Sequence, residues 1–289
     1  MTARKIIVGY DRSPDAKAAA AWALDEASRT GALVEFFYAY EWPAWAPAAS
    51  MIPSPAVWPD GETDRAIKGG LNEAVATARH THPEVRTEIS IVNAGAGLTL
   101  VARSAEAGLI VVGSRGNSSV AGLLGSVSVF VSAHAHCPVI VVRGDTTAAG
   151  PVVVGVDDSP AGQVALSFAF EEAAARGAAL RVIRAWSPVV GLLEGSPAIA
   201  DSVVAVEREA LRELVATWRE KFPEVYATCE VVVDHPARAL TQVSGGAQLL
   251  VVGTRGRGAV RGMLLGSVSQ HLLRHSACTV AVVHETPEA

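Results

Sequence analysis

The sequence is poor in cysteine and in aromatic residues. Only three of its 289 residues are cysteine, and 6% are aromatic. Cys137, Cys229 and Cys278 lack the spacing of metal ligands, and we interpret them as reduced thiols that pack as small hydrophobic side chains rather than as a redox pair. The sequence therefore argues against a disulfide-stapled secreted protein and against a cysteine metal site.

The sequence also lacks a run of basic residues and a long apolar segment. The formal net charge is −5, which argues against nucleic acid or an anionic membrane as the main partner. No stretch approaches the ~18 apolar residues of a membrane-spanning helix. The N-terminus runs from Met1 to Lys5 directly into the apolar strand at Ile6, and that run is too short for a signal peptide. We expect a cytoplasmic protein that contacts neither a membrane nor nucleic acid.

What the chain does contain is enough apolar material for two cores, arranged as a repeat. Half of the residues are hydrophobic, and the length suits two domains. Three segments recur in the same order and at similar spacing, which indicates an internal duplication. The recurring pairs are Ile7–Pro14 with Val153–Pro160, Val111–Gly116 with Val251–Gly256, and Gly125–Ser128 with Gly266–Ser269.

Each copy alternates short apolar runs with longer helical patterns. The runs are apolar on both faces, as in parallel strands that helices cover on both sides. We predict an α/β fold with two tandem doubly wound, five-stranded parallel-sheet domains at residues 1–145 and 151–289, joined by the polar segment 144–150. The predicted strands are Ile6–Gly9, Val34–Tyr40, Ile89–Val92, Leu109–Gly113 and Val139–Val142, and then Val152–Val156, Leu180–Trp186, Val231–Val233, Leu249–Gly253 and Val280–Val283.

Serine, proline and glycine mark the expected helix ends. Ser13-Pro14 and Ser159-Pro160 each place an N-cap before a proline in the first turn. Gly31 and Gly177 stand where a left-handed residue ends the helix. The proline- and tryptophan-rich segment 42–59 has two interpretations: a covering loop, or a lid or contact with another subunit.

Glycines, serines and an aspartate follow the first and fourth strands of each copy. Ligands of open parallel sheets bind beyond the carboxyl ends of the strands, where the winding reverses. Glycine lets backbone N–H groups approach an anion, and the N-terminus of the next helix adds donors and a positive dipole end. We therefore predict phosphate binding by Gly113, Gly116, Gly125 and Ser126, and by Gly253, Gly256, Gly266 and Ser267. Gly9 and Asp11 would lie beside the first of these sites, and Gly155 and Asp157 beside the second.

The charged residues in these loops have two interpretations each. Asp11 and Asp157 either hydrogen-bond within their turns or contact ribose hydroxyls or a phosphate-bound Mg²⁺. Arg115 and Arg255, inside the glycine loops, either neutralise phosphate or stay solvated. The eight histidines show no pairing typical of metal ligands.

At these residues the chain resembles the universal stress protein family, as a tandem pair and over essentially its full length. The nucleotide signature of that family is Gly, two residues, Gly, nine residues, and Gly-Ser or Gly-Thr. Gly253, Gly256 and Gly266-Ser267 fit it fully. The first copy departs from the signature, because only eight residues separate Gly116 from Gly125.

The resemblance implies strand order 3-2-1-4-5 in each domain, with the fifth strands paired across a pseudo-twofold axis. It implies ATP with Mg²⁺ as ligand, and it adds residues to the predicted sites. Ala39 and Ala185 would lie beside the adenine, and Val127-Ser128 and Val268-Ser269 would continue the phosphate loops. It further implies a regulatory protein partner, not identified by the sequence, and a homodimer.

Three classes of function fit these features. The leading hypothesis is an ATP-binding stress-response protein that acts by nucleotide-dependent interaction and at most slow hydrolysis. Neither a P-loop sequence nor a base, nucleophile or second carboxylate accompanies the loops in both copies, so we predict no catalytic residue. The alternatives are a nucleotide-free dimerisation or scaffold module, and a nucleotide hydrolase or adenylyl-transferring enzyme of related architecture. A phosphoacceptor receiver fits poorly, since Asp234 meets its requirement in one copy only.

Overall fold

The computed structural model describes residues 5–40, 61–116, 124–144, 149–186, 197–257 and 264–285. Within these residues the chain forms two halves, each with five strands and four helices. The first half contains β1 (Lys5–Gly9), α1 (Pro14–Thr30), β2 (Leu33–Tyr40), α2 (Gly61–Thr81), β3 (Thr87–Asn93), α3 (Ala96–Arg103), β4 (Leu109–Gly113), α4 (Ser126–His134) and β5 (Val139–Val142). The second contains β6 (Val152–Gly155), α5 (Pro160–Arg176), β7 (Leu180–Trp186), α6 (Pro197–Lys221), β8 (Ala227–Val233), α7 (Pro236–Ser244), β9 (Leu249–Gly253), α8 (Ser267–His275) and β10 (Thr279–Val283).

All ten of these strands belong to one sheet, in the order β3-β2-β1-β4-β5-β10-β9-β6-β7-β8. Each half therefore has the order 3-2-1-4-5, and its strands are parallel. The fifth strands pair antiparallel, with Ile140 opposite Ala281. The predicted fold class, strand order and pairing of the fifth strands are confirmed.

The predicted strand bounds are accurate in the centre of the sheet and short at its edges. The edge strands β3 and β8 begin at Thr87 and Ala227, two and four residues before the predicted starts at Ile89 and Val231. One side of an edge strand faces solvent, so polar residues interrupt the apolar run that marks the buried strands. By contrast, the predicted strand Val152–Val156 is one residue too long, because β6 ends at Gly155.

The predicted helix caps are confirmed. The Ser13 hydroxyl accepts a hydrogen bond from the Ala16 N–H, and the Ser159 hydroxyl accepts one from Gly162. Gly31 and Gly177 have φ of 69° and 58°, in the left-handed region that ends a helix. The segment 42–59, with its two interpretations, lies outside the described residues.

Helices cover both faces of the sheet and enclose two apolar layers. One layer lies under α1, α2, α5 and α6 and includes Phe36 and Phe170; the other lies under α3, α4, α7 and α8 and includes Leu100 and Leu272. Burial raises the pKa of Cys137 to about 12 and that of Cys278 to about 11, so both thiols stay protonated inside the second layer. In the described part of the chain, no helix is both long and apolar enough to cross a membrane.

Candidate functional site

Each half has a cleft at the carboxyl ends of its strands. The cleft lies between the first and fourth strands, where the strand order reverses direction. The first-half cleft has a volume of about 330 Å³ and the second-half cleft about 420 Å³. Every residue predicted for nucleotide contact lines one of the two. The first-half cleft contains Gly9, Asp11, Ala39, Gly113, Gly116, Gly125, Ser126, Val127 and Ser128. The second-half cleft contains Gly155, Asp157, Ala185, Gly253, Arg255, Gly256, Gly266, Ser267, Val268 and Ser269.

Asp157 joins the loop after β6 to the glycine loop after β9. Its Oδ1 accepts hydrogen bonds from the Ser159 N–H, at 3.1 Å, and from the Ser159 hydroxyl. Its Oδ2 accepts a hydrogen bond from the backbone N–H of Arg257, at 2.8 Å. In the first half, Asp11 Oδ1 accepts from the Ser13 N–H at 3.0 Å. The carboxylates therefore do shape their turns, and a contact with ribose or Mg²⁺ would come in addition.

The aspartates explain why the glycine loops need glycine at Gly116 and Gly256. A Cβ at Gly256 would lie 2.5 Å from Oδ2 of Asp157, and one at Gly116 would lie 2.7 Å from Oδ2 of Asp11. Neither glycine has the positive φ that only glycine adopts readily. The requirement at these positions is space for the carboxylate, not a left-handed backbone.

The helices that face the clefts begin without a side-chain cap from the described residues. Gly125 and Gly266 are the N-caps of α4 and α8, and neither helix has a side-chain hydrogen bond to its first turn within the described residues. The loop before each helix is fixed instead by its backbone: the Gly266 N–H donates to Thr254 O at 2.7 Å. Unpaired N–H groups at a helix N-terminus form an anion-binding arrangement.

Two of the predicted serines have their hydroxyl protons engaged within the protein. Ser128 donates to Gly113 O and Ser269 donates to Gly253 O, both at 2.7 Å. Both serines are buried. These hydroxyls hold α4 and α8 against the strand ends, so donation to a phosphate from Ser269 would require breaking that bond.

The second-half cleft contains an ion-pair network that sequence reasoning missed. Arg184, on β7, is 5% exposed and pairs with Asp158 at 2.7 Å and with Glu207 of α6 at 2.9 Å. Asp158 also pairs with Arg257 in the glycine loop. The first half has Tyr38 at the position of Arg184. The charge of Arg184 inside the mostly apolar strand β7, which also contains Arg181, is the signal that would have pointed to this network.

Apolar side chains form the floor of each cleft. Ile183, Leu240 and Val252 line the second-half cleft, and Phe37, Leu100 and Val112 line the first. Within the described residues, no group of three or more histidine, cysteine or acidic side chains is arranged to hold a metal ion. The clefts thus combine an apolar floor with backbone donors and one aspartate at the mouth.

Comparison with known proteins identifies similar proteins that match nearly the whole chain. The universal stress protein family model matches twice, at residues 2–143 and 149–284. A universal stress protein of Mycobacterium tuberculosis is 37% identical over 296 residues, covering 97% of each chain, and one of Mycolicibacterium smegmatis is 35% identical over 289 residues, covering 96% of each.

Among solved structures, a universal stress protein from Archaeoglobus fulgidus aligns with a TM-score of 0.70 at 17% identity, covering 99% of this chain and 98% of its own. At this identity the likeness shows a shared fold. Membership of the family rests on the family model and on the mycobacterial relatives. The chain belongs to the universal stress protein family, in its tandem two-domain form.

Proposed function

We propose that this protein binds ATP in its clefts and acts as a regulator, through a conformation or interaction that depends on the bound nucleotide. The second-half cleft carries the proposal. It places the complete glycine signature, the uncapped N-terminus of α8 and Asp157 around one cavity of about 420 Å³, a size typical of small-molecule sites.

The lining suits the separate parts of a nucleotide. Ile183, Leu240 and Val252 offer apolar contact for a base beside the backbone of Ala185. The backbone N–H groups in the first turn of α8, from Ser267 to Ser269, line the same cavity and would hold phosphate oxygens. Arg255 lies in the glycine loop and adds a positive charge at the cleft mouth.

Asp157 is the residue that suits ribose or metal. Each of its oxygens already accepts a hydrogen bond from the protein, but a carboxylate oxygen accepts more than one. When bound with the nucleotide, Mg²⁺ would neutralise phosphate charge, and Asp157 and the phosphates would be its acidic neighbours.

The same cleft gives little support to rapid turnover. Of the carboxylates that line it, Glu207 is paired with Arg184 and Asp157 is bonded to backbone N–H groups. His235 is the one histidine among its lining residues, and the first-half cleft has none at all. Apart from Asp11 and Asp157, which accept hydrogen bonds from backbone N–H groups, the described lining offers no candidate base common to both clefts. We therefore propose a turnover number below the usual enzyme range of ~1 s⁻¹ and above.

The first-half cleft is proposed as a weaker site for the same ligand. Its glycines, aspartate and serines match those of the second cleft, but the chain between Gly116 and Gly125 is one residue shorter than its counterpart. One residue moves a backbone amide by up to ~3.5 Å, about the length of a hydrogen bond.

The test is the content and affinity of adenine nucleotide. Purified protein is denatured, the released nucleotide is quantified by anion exchange, and ATP–Mg²⁺ is titrated into nucleotide-free protein by calorimetry. We expect one tight site per chain and a second, weaker one. Gly256→Val should abolish the tight site, because its side chain displaces the Asp157 carboxylate, 2.5 Å from the new Cβ.

Gly246→Ala is the matched control. No atom lies within 4 Å of a Cβ built there, so nucleotide affinity should stay at the wild-type value. Protein that neither copurifies with nucleotide nor binds ATP–Mg²⁺ would support the scaffold alternative instead. Multiple turnovers per second would support the hydrolase alternative.

A further inference from the structure

A third cavity, which we call the interhalf cleft, lies where the two halves meet. It has a volume of about 280 Å³ and is formed by the first turns of α1, the loop after β4, the end of β5 and the last turn of α8. Its lining is predominantly polar and basic. The lining residues are Asp15, Ala18, Ser114, Arg115, Leu124, Val142, Arg143, Gly144, Leu273 and Arg274.

Three guanidinium groups face one carboxylate in this cleft. Asp15 accepts hydrogen bonds from the Ser114 hydroxyl at 2.7 Å and from Arg115 Nε at 3.2 Å. Burial raises the pKa of Asp15, but these bonds and the charge of Arg115 outweigh it and hold the pKa below its usual value. Asp15 is thus ionised at neutral pH and balances one of the three arginines.

The other two arginines have no carboxylate partner in the described part of the chain. Arg143 is half-buried and donates through Nη1 to the backbone oxygen of Leu273, at 2.6 Å. Burial lowers the pKa of Arg143, and the nearby charge of Arg115 lowers it further. Arg274 is exposed at the rim. Two positive charges at the edge of one cavity therefore remain uncompensated by described residues.

The equivalent place on the other side of the pseudo-twofold axis lacks this charge. Arg255 corresponds to Arg115, but His284 replaces Arg143, and burial lowers the pKa of that histidine to about 4, so it is neutral at pH 7. The remaining counterparts are Ala161 for Asp15, Ala133 for Arg274 and Glu285 for Gly144. The basic cleft is a feature of one side only, so the fold does not impose it.

We propose that the interhalf cleft is a binding site for a divalent oxyanion of the phosphate class, held by Arg115, Arg143 and Arg274. The planar fork of a guanidinium matches phosphate oxygens with paired, charge-assisted hydrogen bonds. Two uncompensated cations match a divalent anion. The site does not rest on the proposed nucleotide binding, although it shares Arg115 and Leu124 with the lining of the first-half cleft.

The first experiment uses inorganic phosphate and the full nucleotide-free chain. Phosphate is titrated by calorimetry at constant ionic strength, and we expect saturable binding of one phosphate per chain. Arg143→Gln and Arg274→Gln should each weaken it about tenfold, the loss typical of one charge-assisted hydrogen bond. Arg274 is exposed, so its variant tests the site even if Arg143→Gln impairs folding. Arg212→Gln, at an exposed arginine of α6, is the control and should bind as wild type.

A second experiment identifies the source of the phosphoryl group. The titration is repeated on protein saturated with AMP, which lacks the β- and γ-phosphoryl groups, and on protein saturated with ATP–Mg²⁺. Unchanged phosphate binding in both assigns the site to a free anion. Loss of phosphate binding with ATP but not AMP, together with weaker ATP affinity in Arg274→Gln, assigns it to the end of a nucleotide in the first-half cleft.

The proposal is overturned if wild-type protein shows no saturable phosphate binding and Arg274→Gln binds ATP as tightly as wild type. It is equally overturned if phosphate binds with one affinity to wild type, Arg274→Gln and Arg212→Gln. If the protein binds phosphate but no adenine nucleotide, the proposed nucleotide-dependent function is contradicted and the phosphate site in the interhalf cleft is still supported.

Discussion

At the scale of single residues, the glycines at the strand ends serve the packing of helices against strands as well as the site. A Cβ at Gly253 would lie 2.8 Å from both Cβ and O of Ala161, in the first turn of α5. At Gly113 it would lie 2.6 Å from the backbone carbon of Asp15, in the first turn of α1. The end of each fourth strand is thus in contact with the helix that follows the first strand, which brings the two loops of the cleft together.

We predict that Gly253→Val destabilises the protein by about 1–3 kcal/mol, the usual cost of forcing extra atoms into a packed contact. Urea unfolding followed by circular dichroism measures it. Gly245→Ala is the control, since the nearest atom to a Cβ there is 3.8 Å away, and its unfolding midpoint should match wild type. Equal midpoints for Gly253→Val and wild type would contradict the packing argument.

At the scale of elements, α4 and α8 are each capped by a residue of the opposite half. Arg143 follows β5 and donates to Leu273 O near the end of α8, at 2.6 Å. His284 follows β10, and its Nε2 lies 3.1 Å from Ser132 O near the end of α4. The carbonyl can only accept, so His284 carries its proton on Nε2; Nδ1 is buried without a partner among the described residues. Because α4 and α8 begin at the clefts, these contacts tie each cleft helix to the other half.

His284 makes stability depend on pH in the acid range. Its pKa is lowered by burial to about 4 in the folded state, against about 6.5 when unfolded. Between those values the unfolded chain binds the extra proton, so stability falls as the pH drops from about 6.5 to 4. We predict that wild type loses about 2–3 kcal/mol more than His284→Gln over this interval. Urea unfolding at pH 7 and pH 4 measures it, and parallel pH profiles would contradict the prediction.

At the scale of the whole molecule, a buried ion cluster joins α1 and α5 at the pseudo-twofold axis. Glu26 and Glu172 hold equivalent positions in the two helices, and Arg176 lies between them, at 2.7 Å from Glu26 and in contact with Glu172. All three side chains are less than one-tenth exposed. Burial raises the pKa of Glu172 to about 7, although Arg176 opposes the shift. Arg176 therefore offsets the charge of both buried carboxylates, and Arg29, which pairs with Glu26 at 3.2 Å, contributes from the edge of the cluster.

We predict that Arg176→Met costs about 3–5 kcal/mol of stability, because it leaves the buried Glu172 without its ion-pair partner and Glu26 with Arg29 alone. Denaturant unfolding measures this. The double variant Arg176→Met/Glu172→Gln removes one of those carboxylates and should recover part of the loss. If the double variant is as unstable as the single one, the cost does not come from uncompensated charge.

The sequence by itself determined the central strands, the caps of α1 and α5 and the glycine loops that line the clefts. Apolar runs, Ser-Pro caps and helix-ending glycines are local signals, and they predicted the central strands and the caps of α1 and α5. The repeat and the parallel topology placed the glycine loops and their aspartates at the ends of the strands. The family resemblance supplied the strand order that makes the first and fourth strands neighbours, and it added the cleft residues Ala39, Val127, Ser128, Ala185, Val268 and Ser269. The two edge strands were only partly predicted, because solvent on one side of β3 and β8 interrupts their apolar pattern.

Only the tertiary structure decided which charged residues meet. Arg176 and Glu26 are 150 residues apart, and Arg143 and Leu273 are 130 apart. No local pattern encodes such a pair, because it forms only after β5 and β10 have joined the two halves into one sheet. The clefts follow from signals within each copy, whereas the buried ion cluster, the helix tethers and the interhalf cleft depend on side chains that differ between the copies and meet at the axis.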